Sequence, residues 1–555
     1  MTSRTPAIAQ HRDDLPGWAW ALIALAFVVA WFATLGTRSL IHPDEGRYAA
    51  LSLSMLQSGD WVTPRLNGFL YFEKPAFQYW AGALSFLVFG VNEFAARLWP
   101  ALSGLLTVAM VGFTGARLWD RATGIRAAAL AGGCTWIVAN SHFLTLDAGL
   151  TCFLTLTLCA VVLALRPGIG EQEQRRWVWA AWAGMALAVL SKGLVGIVIP
   201  GAVLVLHSLW QRDFSLWRRL HWISGLAVFL AICAPWFVLV SMRNPGFAEF
   251  FFIHEHFARY LTTEHRRVGA WWYFVPILVL GLMPWTSGLP WAFARRSAGA
   301  GTTAAHRMLV VWVAFVFLFF SASSSKLPSY ILPVFPALAL LIANAMRDAS
   351  VRALRVHLLV PSALWLAIFV VATQASRFAD ASTPAEVLHS LGLALMAAAA
   401  VFVVTAALAW WLLGQGRTQA ALAGVALAHL VATLIVMQAH NEFGQLKSAD
   451  RFAAAIEPTV TPDTPFFAVG SYDQTLPFYL RRDVTLAAYV DEFAFGQERD
   501  PARHLPTLDA FLARWQALPR AAAYMDRDML QTLRQQGFAY GKAFCDARRC
   551  VLVKP

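Results

Sequence analysis

The fold is decided by WAWALIALAFVVAWFATLG, residues 18–36, and by SLIHPDEGRYA, residues 39–49, which follows it almost directly. The first stretch is long enough, as a helix, to cross about 30 Å of hydrocarbon. No small-residue cleavage site follows it, so we expect a retained membrane anchor rather than a signal peptide. The second stretch places four ionisable side chains at the mouth of that anchor.

The composition of the whole chain fits a membrane protein. Of 555 residues, 58% are hydrophobic and 14% are charged, and the mean hydropathy is +0.55. A soluble domain carries about 25% charged residues. These values exclude an ordinary soluble protein and indicate a polytopic all-α membrane protein. The net charge of +12 is explained by loop arginines that set topology, so we expect no nucleic-acid partner.

Apolar runs of membrane length recur along the chain and predict its topology. They cover residues 18–36, 94–116, 127–141, 148–165, 177–190, 194–210, 221–241, 272–291, 308–321, 329–346, 356–374, 387–413 and 418–438. A further run, 76–91, is only 16 residues long and contains residues typical of an interface. If this run does not cross and the N-terminus is cytoplasmic, the cytoplasmic segments hold 18 basic residues and the longer outer loops hold 12. We therefore predict thirteen crossings, with the C-terminal end outside.

This topology gathers the unusual polar residues on one face. They are Asp44, Glu45, Arg47, Glu73, Lys74, Asp147, Lys192, His254, Glu255, His256, Arg259 and Lys326. Ionisable groups at membrane depth are costly and usually functional. For Glu45 alone, a place in the first turn of an interfacial helix is the simpler interpretation. For Asp44 together with Arg47 we favour a role in a single site assembled from several loops.

Six motifs carry a resemblance to a known family. They are PDEGRYA (43–49), YFEKP (71–75), TLDAG (145–149), SKG (191–193), EHFARY (255–260) and SKLPSYILP (325–333). Their order and spacing resemble the lipid-linked-sugar glycosyltransferases of the GT-C fold. Within that fold, the chain looks like the bacterial protein-mannosyltransferase-like branch, and most like the lipid A aminoarabinose transferases (ArnT-type). The resemblance implies a polyprenyl-phosphate sugar donor, an outward-facing active site, thirteen crossings and a soluble domain at the C-terminus, and the residues themselves predict interfacial helices in the first outer loop.

The resemblance also assigns roles to residues of this chain. Asp44 matches the family's acid in the first outer loop, which acts as general base or holds the acceptor. Asp147 matches a second catalytic acid, and a helix N-cap is an alternative role that does not exclude the first. The donor phosphate is expected to bind cations and a phenol. The family matches for these groups are Lys74, Arg259 and Tyr330. Further cations on the same side are Arg47 and Lys192.

A divalent metal such as Zn²⁺ or Mg²⁺ is one hypothesis for three residues. Glu73, His254 and His256 offer one carboxylate and two imidazoles, which are donors that such an ion accepts. The glutamate lies far upstream of the histidines, and the HEH spacing is not that of a closed structural site. Histidines that hydrogen-bond a phosphate are the alternative.

The composition changes after residue 440. Short apolar strands alternate with helical and turn signals, so residues 441–555 are predicted to form a small α/β domain in the periplasm, after a transmembrane catalytic domain at 1–440. Cys545 and Cys550 lie between two strand-like pieces. In an oxidising compartment they could close a hairpin by a disulfide, and we favour that interpretation over free thiols.

The resemblance thus implies an inverting glycosyltransferase in the bacterial inner membrane. The expected reaction moves 4-amino-4-deoxy-L-arabinose from undecaprenyl phosphate to a phosphate of lipid A, on a monomer embedded in the lipid bilayer. A related transferase with another lipid-linked sugar, or with a protein or polysaccharide acceptor, is the alternative. A transporter would show internal repeats and midplane charges, which the sequence lacks, and an anchored scaffold would not need acids and cations from five loops.

Overall fold

The structure, a computed structural model, describes residues 15–258, 269–293, 300–379 and 385–554. Its membrane part is a bundle of α-helices: Gly17–Ala33, Asp44–Ser58, Phe77–Phe89, Glu93–Leu118, Arg121–Gly132, Thr135–Ser141, Asp147–Ala164, Glu171–Lys192, Val195–Gln211, Ser215–Arg218, Trp222–Arg243, Phe274–Gly281, Leu289–Ala292, Ala300–Ala322, Val334–Ala345, Val351–Ala372, Ala385–Gly414 and Thr418–Ala439. A π-helix, Glu249–Ala258, and short 3₁₀ turns join them. The expectation of a helical polytopic membrane protein is confirmed.

Each predicted apolar run coincides with a helix or a bent pair of helices. Among the described residues, seven helices are long and apolar enough to span a membrane, and nine spans result if two bent pairs each count as one. The pair Arg121–Gly132 and Thr135–Ser141 bends by 60°, and the pair Phe274–Gly281 and Thr286–Ala292 bends by 107°. Proline inside a helix removes a backbone hydrogen bond, yet four of the long helices contain one and continue through it. The number of thirteen crossings stays a prediction.

The helix Phe77–Phe89, which we call the second loop helix, is flanked by chain segments that lie on the same side of the helical bundle. With 13 residues it is about 20 Å long, which is short for a crossing. Before it, Asn67 exchanges two hydrogen bonds of 2.7 Å with the backbone of Val484. After it, Arg481 donates to the carbonyl of Val91 at 2.7 Å. Because both flanks bond the same C-terminal domain, the second loop helix does not cross the membrane. It coincides with the run 76–91, which the sequence predicts to be interfacial.

The C-terminal part carries a five-stranded mixed sheet. The strands are β3 (Phe466–Val469), β4 (Thr485–Ala487), β5 (Ala521–Asp526), β6 (Lys542–Cys545) and β7 (Arg549–Lys554), after a short β1–β2 ladder (Arg65–Leu66 and Phe69–Leu70) in the first loop. The order in the sheet is β4-β3-β5-β7-β6, with parallel pairs around β3 and antiparallel pairs around β7. Helices flank it: Asn441–Gln445, Asp450–Ile456, Leu476–Leu480, Ala494–Arg499, Leu508–Ala517 and Arg527–Gln535. A small α/β domain is therefore present, as predicted.

A disulfide closes the last hairpin of this domain. Cys545 ends β6, Cys550 is the second residue of β7, and the two face each other in the strand register. Their sulfurs are bonded. The turn between them is held by Asp546, whose carboxylate accepts the backbone N–H groups of Arg548 and Arg549 at 2.8 and 2.7 Å. The bond thus fixes the turn from which Arg549 extends.

The C-terminal domain shares its core with the loop that follows the first helix. One buried apolar cluster contains Tyr48 and Phe72 from that loop together with Phe466 and Leu476 from the domain. Such a cluster removes apolar surface of both parts from water at once. The domain is therefore packed onto the loop that carries the site rather than tethered beside it. The predicted boundary at residue 440 stays a prediction.

Candidate active site

A buried ion pair between Glu45 and Arg97 fixes the loop that carries the site. Nε and Nη2 of Arg97 donate to the two carboxylate oxygens of Glu45 at 2.7 and 2.8 Å. The guanidinium also donates to three backbone carbonyls, those of Leu35, Arg38 and Ser39. Glu45 in turn accepts the backbone N–H groups of Ile41 and Leu144. The pair therefore joins the end of the first helix, the first loop, the helix Glu93–Leu118 and the segment before Asp147.

This pairing gives Glu45 a larger structural role than the sequence indicated. Burial would raise the pKa of the Glu45 carboxyl, but the Arg97 charge and its hydrogen bonds hold that pKa below the ordinary value. Glu45 does lie in the first helical turn, as expected. No pattern in the sequence indicated its partner, because Arg97 lies 52 residues away on another helix.

One cavity of about 210 Å³ collects most of the predicted site residues. The membrane part contributes Asp44, Arg47, Tyr48, Glu73, Lys74, Thr145, Leu146, Asp147, Lys192, Phe250, Leu327 and Tyr330 to its lining. The C-terminal domain contributes Asp491, Glu492, Ala494 and Phe495. Seven segments of the chain therefore meet around a space of the size needed to enclose a small polar group.

Asp44 presents its carboxylate to this cavity. It lies in the first turn of the helix Asp44–Ser58, which we call the first loop helix, and 43% of its side chain is exposed. Arg47, one turn further on, donates from Nη1 to Asp44 Oδ1 at 3.0 Å. The adjacent acids Asp44 and Glu45 therefore point in different directions, since successive helical residues are about 100° apart. The carboxylate of Asp44 is accessible to a ligand, whereas the carboxylate of Glu45 is occupied by contacts that hold the fold together.

Asp147 holds Lys192 in the lining of the same cavity. The Lys192 ammonium forms an ion pair with the Asp147 carboxylate and lies 4.8 Å from the ring centroid of Tyr330. The N-cap of the helix Asp147–Ala164 is Leu146, and no side chain caps it. The alternative role of Asp147 as an N-cap is therefore wrong, because its carboxylate bonds an ammonium rather than the backbone. Asp147 orients a cation next to a phenol.

Lys74 and Glu73 lie in the same lining. The Lys74 ammonium donates to the backbone carbonyl of Glu73 at 2.7 Å. Both side chains border the cavity that Asp44 and Lys192 also border. Lys326 is different: its ammonium is buried and donates to the carbonyl of Ser323 at 2.7 Å. The structure thus places Lys74, and not Lys326, among the cations that line the cavity.

Glu492 is a residue of the site that the sequence analysis missed. Its carboxylate lies 2.6 Å from Nε of Arg47 and accepts a hydrogen bond from Gln474 at 2.8 Å. Burial raises the pKa of Glu492, Glu73 adds to that effect, and Arg47 opposes it. The only signal in the sequence was an acidic pair, Asp491 and Glu492, inside the otherwise apolar YVDEFAF. Arg47 is therefore held between a carboxylate of each domain.

Three predicted site residues lie beyond what the structure describes. Arg259 is outside the described residues, and so are the side chains of His254 and His256. Among the described side chains, no group of three or more His, Cys, Asp or Glu is arranged to hold a metal ion. The metal hypothesis, which needs Glu73 with one or both histidines, stays a prediction.

Comparisons with known proteins agree with the fold and the cavity. Residues 18–251 match the family model of dolichyl-phosphate-mannose-protein mannosyltransferases. Residues 452–554 match the model of the aminoarabinose transferase C-terminal domain. The helical membrane part, the polar cavity that it shares with the C-terminal domain and these matches define a membrane glycosyltransferase of the GT-C class.

The relatives identify the family within this class. The chain superposes on the crystal structure of ArnT from Cupriavidus metallidurans bound to undecaprenyl phosphate with a TM-score of 0.92 and 34% identity, covering 97% of this chain and 98% of that one. The apo form of the same protein gives a TM-score of 0.91. This chain belongs to the ArnT family of aminoarabinose transferases.

A curated sequence relative supports the same assignment over part of its length. The undecaprenyl phosphate-alpha-4-amino-4-deoxy-L-arabinose arabinosyl transferase of Pseudomonas aeruginosa (strain UCBPP-PA14) is 35% identical over 330 residues. The alignment spans 59% of this chain and 59% of that relative. The chain therefore matches about three fifths of the length of this curated relative.

Proposed function

We propose that this protein is an inverting glycosyltransferase that moves 4-amino-4-deoxy-L-arabinose from undecaprenyl phosphate to a phosphate of lipid A. The cavity and the C-terminal domain then face the periplasm, and the helices lie in the bacterial inner membrane. Membership of the ArnT family supports the sugar and the lipid carrier. The observation that carries the proposal is that the exposed carboxylate of Asp44 shares one cavity with the ammonium groups of Lys74 and Lys192.

The reaction exchanges one bond at the anomeric carbon of the sugar. An oxygen of the acceptor phosphate attacks that carbon from behind, and the bond to the oxygen of the donor phosphate breaks. The electron pair leaves with undecaprenyl phosphate, so negative charge grows on the leaving group. Lys74 and Lys192 supply positive charge for it in advance, with Tyr330 as a hydroxyl donor, and Arg259 is predicted to join them.

Asp44 serves mainly to place the acceptor. A phosphate monoester is already largely ionised near neutral pH, so the attack needs no proton transfer to a base. Correct placement of the attacking oxygen can itself contribute a large part of the rate enhancement. Arg47, bonded to Asp44 at 3.0 Å, offsets the repulsion between the carboxylate and an anionic acceptor. Where the acceptor is a hydroxyl group, the same carboxylate can take its proton.

Mass spectrometry of lipid A tests this function directly. Cells that lack their own transferase are given either this chain or its Asp44→Asn variant, expressed to equal levels in the membrane. We expect aminoarabinose-modified lipid A only with the unaltered chain. Unmodified lipid A with both chains would overturn the proposed acceptor, and a modification of different mass would overturn the proposed sugar.

A purified system separates transfer from supply of the donor. The protein in detergent is mixed with undecaprenyl-phosphate aminoarabinose and lipid A, and the release of undecaprenyl phosphate is followed together with the product. We expect undecaprenyl phosphate and modified lipid A to form in equal amounts. In a parallel assay with the protein in lipid vesicles, movement of the lipid-linked sugar across the bilayer without bond breakage would instead indicate the transporter alternative.

A further inference from the structure

The C-terminal domain contacts the first loop helix at a point where a side chain is not tolerated. Gly46 lies between Glu45 and Arg47, and the backbone of residues 473–475, which we call the docking segment, passes directly over it. A Cβ atom at Gly46 would lie 2.5 Å from the carbonyl carbon of Gln474 and 2.5 Å from the nitrogen of Thr475. Real Cβ contacts are not this short, and backbone atoms cannot rotate away. Glycine therefore permits the close approach of the two domains.

A second buried ion pair holds the docking segment in place. Arg549 forms an ion pair with Asp473, and 4% and 0% of these two side chains are exposed. Asp473 also accepts the N–H and the hydroxyl of Thr475 at 2.8 and 2.6 Å. Arg549 donates in addition to the carbonyl of Ser448 at 3.0 Å. Since Arg549 extends from the disulfide-closed turn, the docking segment is anchored to the rigid end of the sheet.

A series of polar contacts leads from the docking segment to the carboxylate of Asp44. The amide of Gln474, only 5% exposed, donates to Glu492 Oε1 at 2.8 Å. Glu492 Oε2 lies 2.6 Å from Nε of Arg47. Arg47 Nη1 in turn donates to Asp44 Oδ1 at 3.0 Å. Three consecutive contacts thus connect a buried amide of the C-terminal domain with the carboxylate that faces the cavity.

We propose that Gln474 is a positioning residue of the active site, which acts through Glu492 and Arg47 on the orientation of Asp44. Gln474 is absent from the cavity lining, so it does not touch the substrates. Its amide fixes one oxygen of Glu492 and leaves the other to meet Arg47. The C-terminal domain is thereby part of the catalytic apparatus. The inference rests on the proposed function, because it assigns to Asp44 the placement of the acceptor.

The first experiment compares Gln474→Met with a matched control. Methionine keeps the length of the side chain and removes the hydrogen-bond donor. Asn67→Ala is the control, because it also breaks buried hydrogen bonds between the first loop and the C-terminal domain without a contact to Glu492. For equal amounts of folded protein, we expect kcat to fall about tenfold in Gln474→Met. The KM for the donor should change less than about twofold, since the cations at the donor phosphate are untouched, and Asn67→Ala should keep its kcat.

The second experiment is a double-mutant cycle with Glu492→Gln. If Gln474 acts through Glu492, the double variant should be no slower than Glu492→Gln alone. Additive losses would show that Gln474 affects activity by another route and would overturn the inference. A normal kcat of Glu492→Gln or of Gln474→Met would overturn it equally.

A measurement without turnover separates this inference from the proposed function. Hydrogen–deuterium exchange of the first loop helix should become faster in Gln474→Met and remain unchanged in Asn67→Ala, because only Gln474→Met loosens Glu492, which holds Arg47 of that helix. This comparison needs no sugar donor, so it stays valid if the proposed sugar is wrong. Unchanged exchange in Gln474→Met would contradict the positioning role even if the protein transfers aminoarabinose to lipid A.

Discussion

Replacement of a carboxylate by an amide should have different effects at two adjacent acids of the first loop helix. At Glu45 it should lower stability, and at Asp44 it should lower the transfer rate. Glu45→Gln leaves the buried guanidinium of Arg97 without its counter-ion, because the bidentate contact at 2.7 and 2.8 Å requires two anionic oxygens. Loss of one partner of a buried pair costs about 3–5 kcal/mol. Asp44→Asn breaks one contact to Arg47 on a side chain that is 43% exposed, where such pairs contribute at most about 1 kcal/mol.

The assay measures stability and transfer in the same detergent. We expect Glu45→Gln to lower the free energy of unfolding by at least about 3 kcal/mol and the yield of folded protein. Asp44→Asn should unfold like the unaltered chain and transfer sugar at least about 10²-fold more slowly, since an acceptor that is misplaced by 1 Å loses that much. An Asp44→Asn protein with a near-normal rate would refute the assigned role. A Glu45→Gln protein of normal stability would refute the structural argument.

The pH dependence of stability gives an independent check of Glu45. Because its pKa is lowered from 4.5 in the folded state, the unfolded chain takes up the proton first as the pH falls. The stabilisation by Glu45 is therefore complete above pH 4.5 and is lost as the pH decreases below that value. In Glu45→Gln this part of the pH dependence should be missing, and the two unfolding curves should converge in acid.

Three further predictions concern the donor, the disulfide and the topology. Lys74→Ala should raise the KM for the donor or lower kcat at least about tenfold, whereas removal of the exposed Lys542 ammonium should change neither. Replacement of Cys545 and Cys550 by serine should lower the free energy of unfolding by about 2 kcal/mol, measured by thermal unfolding with and without reductant, because the bond closes a short loop. Asn92→Cys should react with a membrane-impermeant thiol reagent from the periplasmic side, and labelling only from the cytoplasm would contradict the orientation.

The sequence alone determined the class of this protein. Membrane-length apolar runs admit only a helical bundle, because every backbone polar group in hydrocarbon must find its partner within the same helix. Short motifs such as YFEKP at 71–75 carried the family, and the shift in composition after residue 440 indicated the α/β domain. The shortness of the run 76–91 already favoured an interfacial helix, and the structure shows both of its flanks bonded to one domain.

Only the tertiary structure decided which charged groups meet. The sequence offered Asp44 and Glu45 as neighbours of similar chemistry, and the Arg97 guanidinium, 52 residues from Glu45, separates their roles. An N-cap was an alternative role for Asp147 at the start of a helix, yet its carboxylate pairs with the ammonium of Lys192. The acidic pair that contains Glu492 did not indicate a site residue, because its partner Arg47 lies in the other domain. The physical reason is that hydrophobic periodicity fixes which face of a segment is buried, whereas the partner of a charge depends on how distant segments pack.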